Sequence, residues 1–317
     1  MASLDLGEIE YTMRSVIGEV SKVIYGLANE IKIITCAIFT GGHILIEGAP
    51  GAGKTLMAKA FAKTIRGEYR RIQGNPDILP TDITGFYIYS VDGSSRFIKG
   101  PIFANIVLVD ELNRVNTRSQ SALLEAMQEL QVTVDGVTHK LNRPFIVIAT
   151  QVPARLAYSA FPVSETLRDR FMVSMEVKYL NAELESKLIV EAHSLGIDIV
   201  ESVTSLDEVV RAQDSILKSV YVSSRVAGYL SRLIEVMRED HRVEYGPSVR
   251  ATLHTIALAK ALAVLNKRDY VIPDDIKEAV RYTLPHRIFL TRHAKTEGVS
   301  EKTILEEALA KTPVPKE

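Results

Sequence analysis

An α/β domain on a five-stranded parallel sheet flanked by helices, followed by an all-helical domain, is the architecture this sequence predicts. Three observations predict it. A phosphate-loop octapeptide sits between a strand and a helix. Short apolar segments alternate with helical ones up to residue 180, and beyond Leu180 only helical patterning remains. Such alternation indicates parallel strands covered on both faces.

Residues 8–40 read as one or two helices, broken near Gly26. His43-Ile44-Leu45-Ile46-Glu47 is a short buried strand, and Leu56 to Ile65, rich in Ala, Leu, Met and Lys, is a helix. Four further strands fall at 68–72, 106–110, 145–150 and 171–177. Gln131–Asn142 reads as a hairpin turning at Asp135-Gly136. Helices follow at Ala182–Ser194, Ser205–Ser219, Ser223–Glu239, Ser248–Leu265 and Pro273–Leu284, several opened by Ser, Asp or Pro. Thr291–Glu317 reads as a polar tail with one helix, Glu301–Lys311, and a loose Pro-Val-Pro end. The expected units are 1–180, 181–290 and 291–317.

Composition narrows the class. With 46% hydrophobic and 24% charged residues over 317 positions, the chain can bury a large core. A formal charge of −1 gives no general basic field for nucleic acid, so a nucleic-acid partner is not expected. Cys36 is the single cysteine and lies in an apolar stretch, which excludes a disulfide framework and implies a buried thiol. The N-terminus lacks the pattern of a signal peptide and no apolar run approaches the length of a membrane span, so a cytoplasmic protein is expected.

The octapeptide Gly48-Ala49-Pro50-Gly51-Ala52-Gly53-Lys54-Thr55 spells G-x-x-x-x-G-K-[ST]. Its glycines let main-chain N–H groups turn inward around phosphate oxygens, and the helix that starts there adds its positive dipole end. Lys54 would reach the β- and γ-phosphates of ATP, and the Thr55 hydroxyl would take a place on Mg²⁺. The strand Ile106-Val107-Leu108-Val109 ends in Asp110-Glu111. At the carboxyl end of a strand beside the loop, Asp110 would hold Mg²⁺ through its water shell, and Glu111 would orient and deprotonate the attacking water.

These segments resemble MoxR-type AAA+ ATPases. The likeness runs through Asp82-Ile83-Thr84-Gly85, Gly100-Pro101-Ile102-Phe103-Ala104-Asn105, Leu112-Asn113-Arg114, Ser119 to Glu129, Gln131 to Gly136 and Asp169-Arg170-Phe171, and ends at Asp269 to Asp275. It implies a P-loop AAA+ core with a helical lid, in a homo-oligomeric, usually hexameric ring. The ring would remodel or mature client proteins, often beside a von Willebrand factor A domain partner. It also implies further roles. Arg250, in Gly246-Pro247-Ser248-Val249-Arg250, resembles the lid arginine that senses the γ-phosphate. Arg170 resembles the finger offered to a neighbouring subunit, with Arg168 as second candidate. Ile24 and Tyr25 sit where the family cradles adenine, so the nucleotide-binding set runs over Ile24, Tyr25 and Gly48 to Leu56. The resemblance places the 131–142 hairpin near the ring pore, and Tyr87 and Tyr89 sit either on a pore-facing loop or on an ordinary strand face.

One position departs from the family. Strand 145–150 leads into Gln151-Val152-Pro153, where the family places Asn before Pro. That Asn would hydrogen-bond the attacking water; Val152 cannot, and Thr150 and Gln151 are the neighbouring substitutes. The stretch Ala154-Arg155-Leu156-Ala157-Tyr158 also fits the family less well. Slow turnover is the expectation, and a nucleotide-gated scaffold with weak or no hydrolysis is the alternative. A DNA-acting AAA+ motor is a third reading, opposed by the charge balance. Asn266-Lys267-Arg268-Asp269 and Asp82-Ile83-Thr84-Gly85 mimic a GTPase set, but the first follows a helix former rather than a strand. The seven histidines show no metal-ligand spacing, and Ser121 and Ser164 lack a His–acid pair for a hydrolase triad. The run Arg238-Glu239-Asp240-His241-Arg242 reads as a solvated helix end.

Overall fold

The computed structural model describes residues 4–152, 161–191 and 196–315. Two helices open the chain. In α1 (Leu6–Ser21) the Asp5 carboxylate accepts from the Gly7 N–H, and Ile9, Met13, Val16 and Val20 form the buried stripe. Gly26, at φ +72°, breaks the chain before α2 (Ala28–Ile38). Cys36 on α2 is fully buried, and burial pushes its thiol pKa well up.

The sheet comes next. β1 (His43–Gly48) feeds α3 (Lys54–Thr64), which returns the chain to β2 (Tyr69–Gln73). A short helix α4 (Pro80–Thr84) leads into the hairpin β3 (Gly85–Tyr89) and β4 (Ser95–Lys99). Then follow β5 (Ile106–Asp110), α5 (Thr117–Glu129) and a second hairpin, β6 (Gln131–Val134) with β7 (Val137–Lys140). Asp135 and Gly136, both at positive φ, make its turn as expected. β8 (Ile146–Gln151), α6 (Glu165–Arg168) and β9 (Phe171–Val177) complete the layer. The five long strands lie parallel in the order β2-β5-β8-β1-β9. Alternate residues face opposite ways: Ile44, Ile46, Ile106 and Leu108 enter one core, Leu45, Val107, Val109 and Val147 the other.

The remaining chain is largely helical: α7 (Ala182–Glu191), α8 (Leu206–Ser219), α9 (Ser224–Arg238), α10 (Val249–Leu265) and α11 (Pro273–Thr283). Ser205, Ser223 and Ser248 cap three of these with their hydroxyls. Pro153, Ala154–Tyr158 and the end of the expected 182–194 helix lie outside the described residues. A small antiparallel pair, β10 (Val243–Tyr245) with β11 (Phe289–Leu290), joins the helices, too short to signal itself in sequence. After α12 (Arg292–Thr296), α13 (Glu301–Lys311) buries Ile304, Leu305 and Ala308 in the same core as α9 and α11. That core continues without a break into the sheet face carrying Ile44 and Ile46.

The 238–242 run is the end of α9 as expected, with Arg238, Glu239 and His241 exposed, but its charges are tied down. Arg238 donates to the Pro247 carbonyl, and Arg242 forks between Asp240 at 2.7 Å and Glu307 of α13 at 2.5 Å. The Arg242 hydrogen bonds pull the Asp240 pKa down to about 2. Charge density alone did not reveal that this turn faces a helix 65 residues away.

Candidate functional site

The loop between β1 and α3 is shaped for an anion. Gly51 and Gly53 take φ of +81° and +77°, and a Cβ on Gly51 would meet no atom within 4 Å, so the loop wall faces open space. At Gly48 the backbone runs so close to β9 that a Cβ would lie 2.7 Å from the Val177 carbonyl oxygen. Gly53 is the N-cap of α3, and Lys54 and Thr55 are its first residues, so unpaired N–H groups and the dipole end point into the loop. The Lys54 ammonium donates to the Gly48 and Ala49 carbonyls at 2.8 and 2.7 Å. Burial lowers its pKa, opposed by the fields of Asp110 and Glu111. Loop, Thr55, Leu56, Asp110, Glu111, Thr150, Gln151 and Val152 line one cleft of about 480 Å³.

The acid pair stands at the end of β5, held from three sides. Thr150, buried at the end of β8, donates to Asp110 Oδ1 at 2.6 Å and accepts the Glu111 N–H at 2.9 Å. Arg71 of β2 donates to Asp110 Oδ2 at 2.6 Å. Gly74 donates to the Asp110 carbonyl at 2.7 Å, and a Cβ there would fall 2.3 Å from the Glu111 carbonyl oxygen. Glu111 takes φ +57°, a left-handed conformation, and its carboxylate lies 3.2 Å from Arg114. Sequence reasoning missed Arg71, Gly74 and Arg114. The one usable signal was register, since Gln73 pairs with Asp110 and Arg71 sits one same-face step away.

A second cleft, about 350 Å³, adjoins the loop and shares Gly51, Ala52, Gly53 and Leu56 with it. Val23, Ile24, Tyr25, Leu27, Leu180 and Leu188 give it apolar walls of a kind that suits a planar base. Ile24 and Tyr25 thus stand beside the loop; the Tyr25 hydroxyl donates to Glu191, and that hydrogen bond raises its pKa.

Val152 lines the loop cleft with an apolar side chain, while its main chain pairs with Asn113. Of its two neighbours, Thr150 has its hydroxyl engaged by Asp110 and Glu111, and Gln151 donates its amide to Glu47 at 2.7 Å. Gln151 thus brings an amide to the cleft, as Gln73 does from β2, but it is anchored.

Arg170 and Arg250 lie elsewhere. Arg170 immediately precedes β9, whereas the loop leaves the opposite end of the parallel strand β1, with His43 level with Phe171 and Gly48 with Val177. Seven residues of β9 put roughly 20 Å between the two ends. Arg250 is at the Arg170 end too, bound to Asp169, and neither arginine lines the loop cleft. Asp169 also accepts from Ser248 at 2.7 Å and Arg287 at 3.0 Å. Among the described residues the Nε atoms of Arg168 and Arg170 both lack a hydrogen-bond partner, and burial lowers the pKa of both groups; Arg168 also stacks on Phe289 at 5.2 Å.

Asn266 is the C-cap of α10 and Arg268 binds Asp275 at 2.7 Å, so the N-K-x-D match is a helix end. Tyr87 and Tyr89 lie on strand β3, where Tyr87 bonds His139 at 3.1 Å and His139 stacks on Phe97 at 4.0 Å. Among the described residues no group of three or more His, Cys, Asp or Glu could hold a metal. A divalent ion here would rely on Thr55, Asp110 and the phosphates it accompanies, and the loop, ammonium and acid pair fit that group.

Comparison with known proteins gives matching results. Residues 43–173 match the family described as ATPase family associated with various cellular activities (AAA), and residues 235–308 match the AAA lid domain. The chain is 38% identical to Uncharacterized protein YeaC of Bacillus subtilis, covering 93% of this chain and 92% of that one. It is 34% identical to Chaperone MoxR1 of Mycobacterium tuberculosis, covering 96% and 83%. A crystal structure of a candidate ATPase from Cytophaga hutchinsonii superposes with a TM-score of 0.89 at 38% identity, over 98% of this chain and 96% of that one.

Proposed function

The chain belongs to the MoxR-type AAA+ ATPases, and on that premise we propose that it binds ATP with Mg²⁺ and hydrolyses it to remodel client proteins. The observation that carries the proposal is one cleft holding Lys54, Thr55, Asp110 and Glu111 around a glycine loop at a helix N-terminus. Lys54 neutralises phosphate charge, Thr55 and Asp110 hold the metal, and Glu111 takes the proton of the attacking water. The apolar pocket at Ile24 and Tyr25 takes the base.

The active unit in this reading is a homo-oligomeric ring, hexameric as the family resemblance implies. Arg170 and Arg250, at the far end of the sheet from their own loop, serve a neighbouring subunit's nucleotide. An arginine supplied in this way can contribute about 10³–10⁵ in rate. Turnover is slow, because Val152 offers no hydrogen bond and Gln151 must leave Glu47 to supply one. Among the described residues no helix is long and apolar enough to cross a membrane; we place the protein in the cytoplasm, working on a protein client beside a von Willebrand factor A domain partner. With a formal charge of −1, a DNA track has no support.

The test pairs binding with capture. Wild type should bind Mg-ATP and release phosphate, Lys54→Ala should lose nucleotide, and Glu111→Gln should trap ATP together with a specific protein. Nucleotide affinity that survives Lys54→Ala would refute the site, and a trap that recovers no specific protein would refute remodelling.

A further inference from the structure

We propose that Arg71 is a built-in counter-cation for the metal site, neutralising Asp110 so that nucleotide can enter and stay in the cleft without a divalent ion. The inference rests on the ATPase reading above and adds to it a residue that no part of the phosphate-loop pattern specifies. Arg71 Nη2 and Nε lie 2.6 and 3.2 Å from Asp110 Oδ2. Asp110 cannot turn away, because Thr150 holds its other carboxylate oxygen at 2.6 Å.

Strand register fixes the pairing. Tyr69, Arg71 and Gln73 of β2 sit level with Ile106, Leu108 and Asp110 of β5, so Arg71 and Asp110 are diagonal neighbours on one face. Gln73 accepts from the same guanidinium and steadies it. Arg71 and Gln73 both line the cleft with the loop and Lys54.

The charges explain why such a cation matters. Lys54 is engaged with the Gly48 and Ala49 carbonyls, and Glu111 is offset by Arg114. Asp110 therefore has Arg71 as its ion-pair partner, and without it a bare carboxylate would face incoming phosphates. Arg71 is also 45% exposed at its side chain while Asp110 is 13% exposed. The cation is thus the movable member, free to yield the carboxylate to a metal and to turn toward the phosphates. An ordinary surface ion pair would leave the metal dependence of nucleotide binding untouched.

The experiment measures the affinity of full-length protein for a fluorescent ADP in excess EDTA and in excess Mg²⁺. Arg71→Met should weaken binding roughly ten-fold in EDTA but less than about three-fold with Mg²⁺, since the ion then covers Asp110. Arg71→Lys should restore most of the EDTA affinity, and Arg71→Met in an Asp110→Asn background should cause no further loss. Equal weakening in both conditions, or none, would overturn the assignment. Wild type that binds in neither condition would instead overturn the ATPase reading, and this proposal with it.

Discussion

Replacing Thr150 with Val tests whether the acid pair is held by one hydroxyl. The change keeps the side-chain shape and removes two hydrogen bonds, at 2.6 Å to Asp110 and at 2.9 Å from the Glu111 N–H. A bond to an ionised carboxylate contributes about 1.5–3 kcal/mol and a neutral one about 1 kcal/mol, so the expected loss is about 3 kcal/mol. For a chain of this size that corresponds to a melting point lowered by about 4–5 °C. Asp110 would also lose its fixed orientation, and hydrolysis should fall by about ten-fold or more. Thermal melts at one scan rate and steady-state phosphate release measure both, with Thr150→Ser as the variant that keeps the hydroxyl. A Thr150→Val protein that melts within about 1 °C of wild type and hydrolyses within about two-fold would refute the reasoning.

Three further outcomes are expected. Gly74→Ala, whose Cβ would press on the Glu111 and Asp110 carbonyls at 2.3 and 2.7 Å, should reduce hydrolysis by about ten-fold or more while leaving helix content by circular dichroism unchanged. Asp169→Ala, which strands the buried Arg287, should cost about 3–5 kcal/mol in urea unfolding. Burial lowers the pKa of His43 from 6.5 to about 4 and that of His254 to about 3. Below pH 6.5 the unfolded chain therefore takes up protons that the folded chain refuses. Stability should fall as pH drops from about 6.5 toward 4, by about 1.4 kcal/mol per unit for each histidine, which urea titrations at stepped pH would measure.

The sheet was legible because four apolar runs and the polar strand at 68–72, punctuated by a phosphate loop, leave few ways to arrange parallel strands. Serine caps made the later helices equally plain. The β3–β4 hairpin was harder: its strands are half exposed, and their aromatic residues pack on His139 of the other hairpin rather than on a core. At the site, the loop and acid pair are contiguous in sequence and could be read directly. Their supports could not, since Arg71 and Thr150 reach Asp110 from 39 and 40 residues away. Arg250 shows the same limit, because a motif names a residue type but only the strand direction tells which end of the molecule it occupies.

Asp169 has a consequence of its own. It is clasped by Ser248, Arg250 and Arg287, one of them fully buried, and the apolar interior beneath it runs on from sheet to helices. Such a joint resists a swinging jaw within the subunit, since opening it would expose a buried pair at about 3–5 kcal/mol. In the ring proposed above, motion driven by chemistry would then be passed on at the seams, each protomer turning as a stiff link against the next, like the plates of a chain belt.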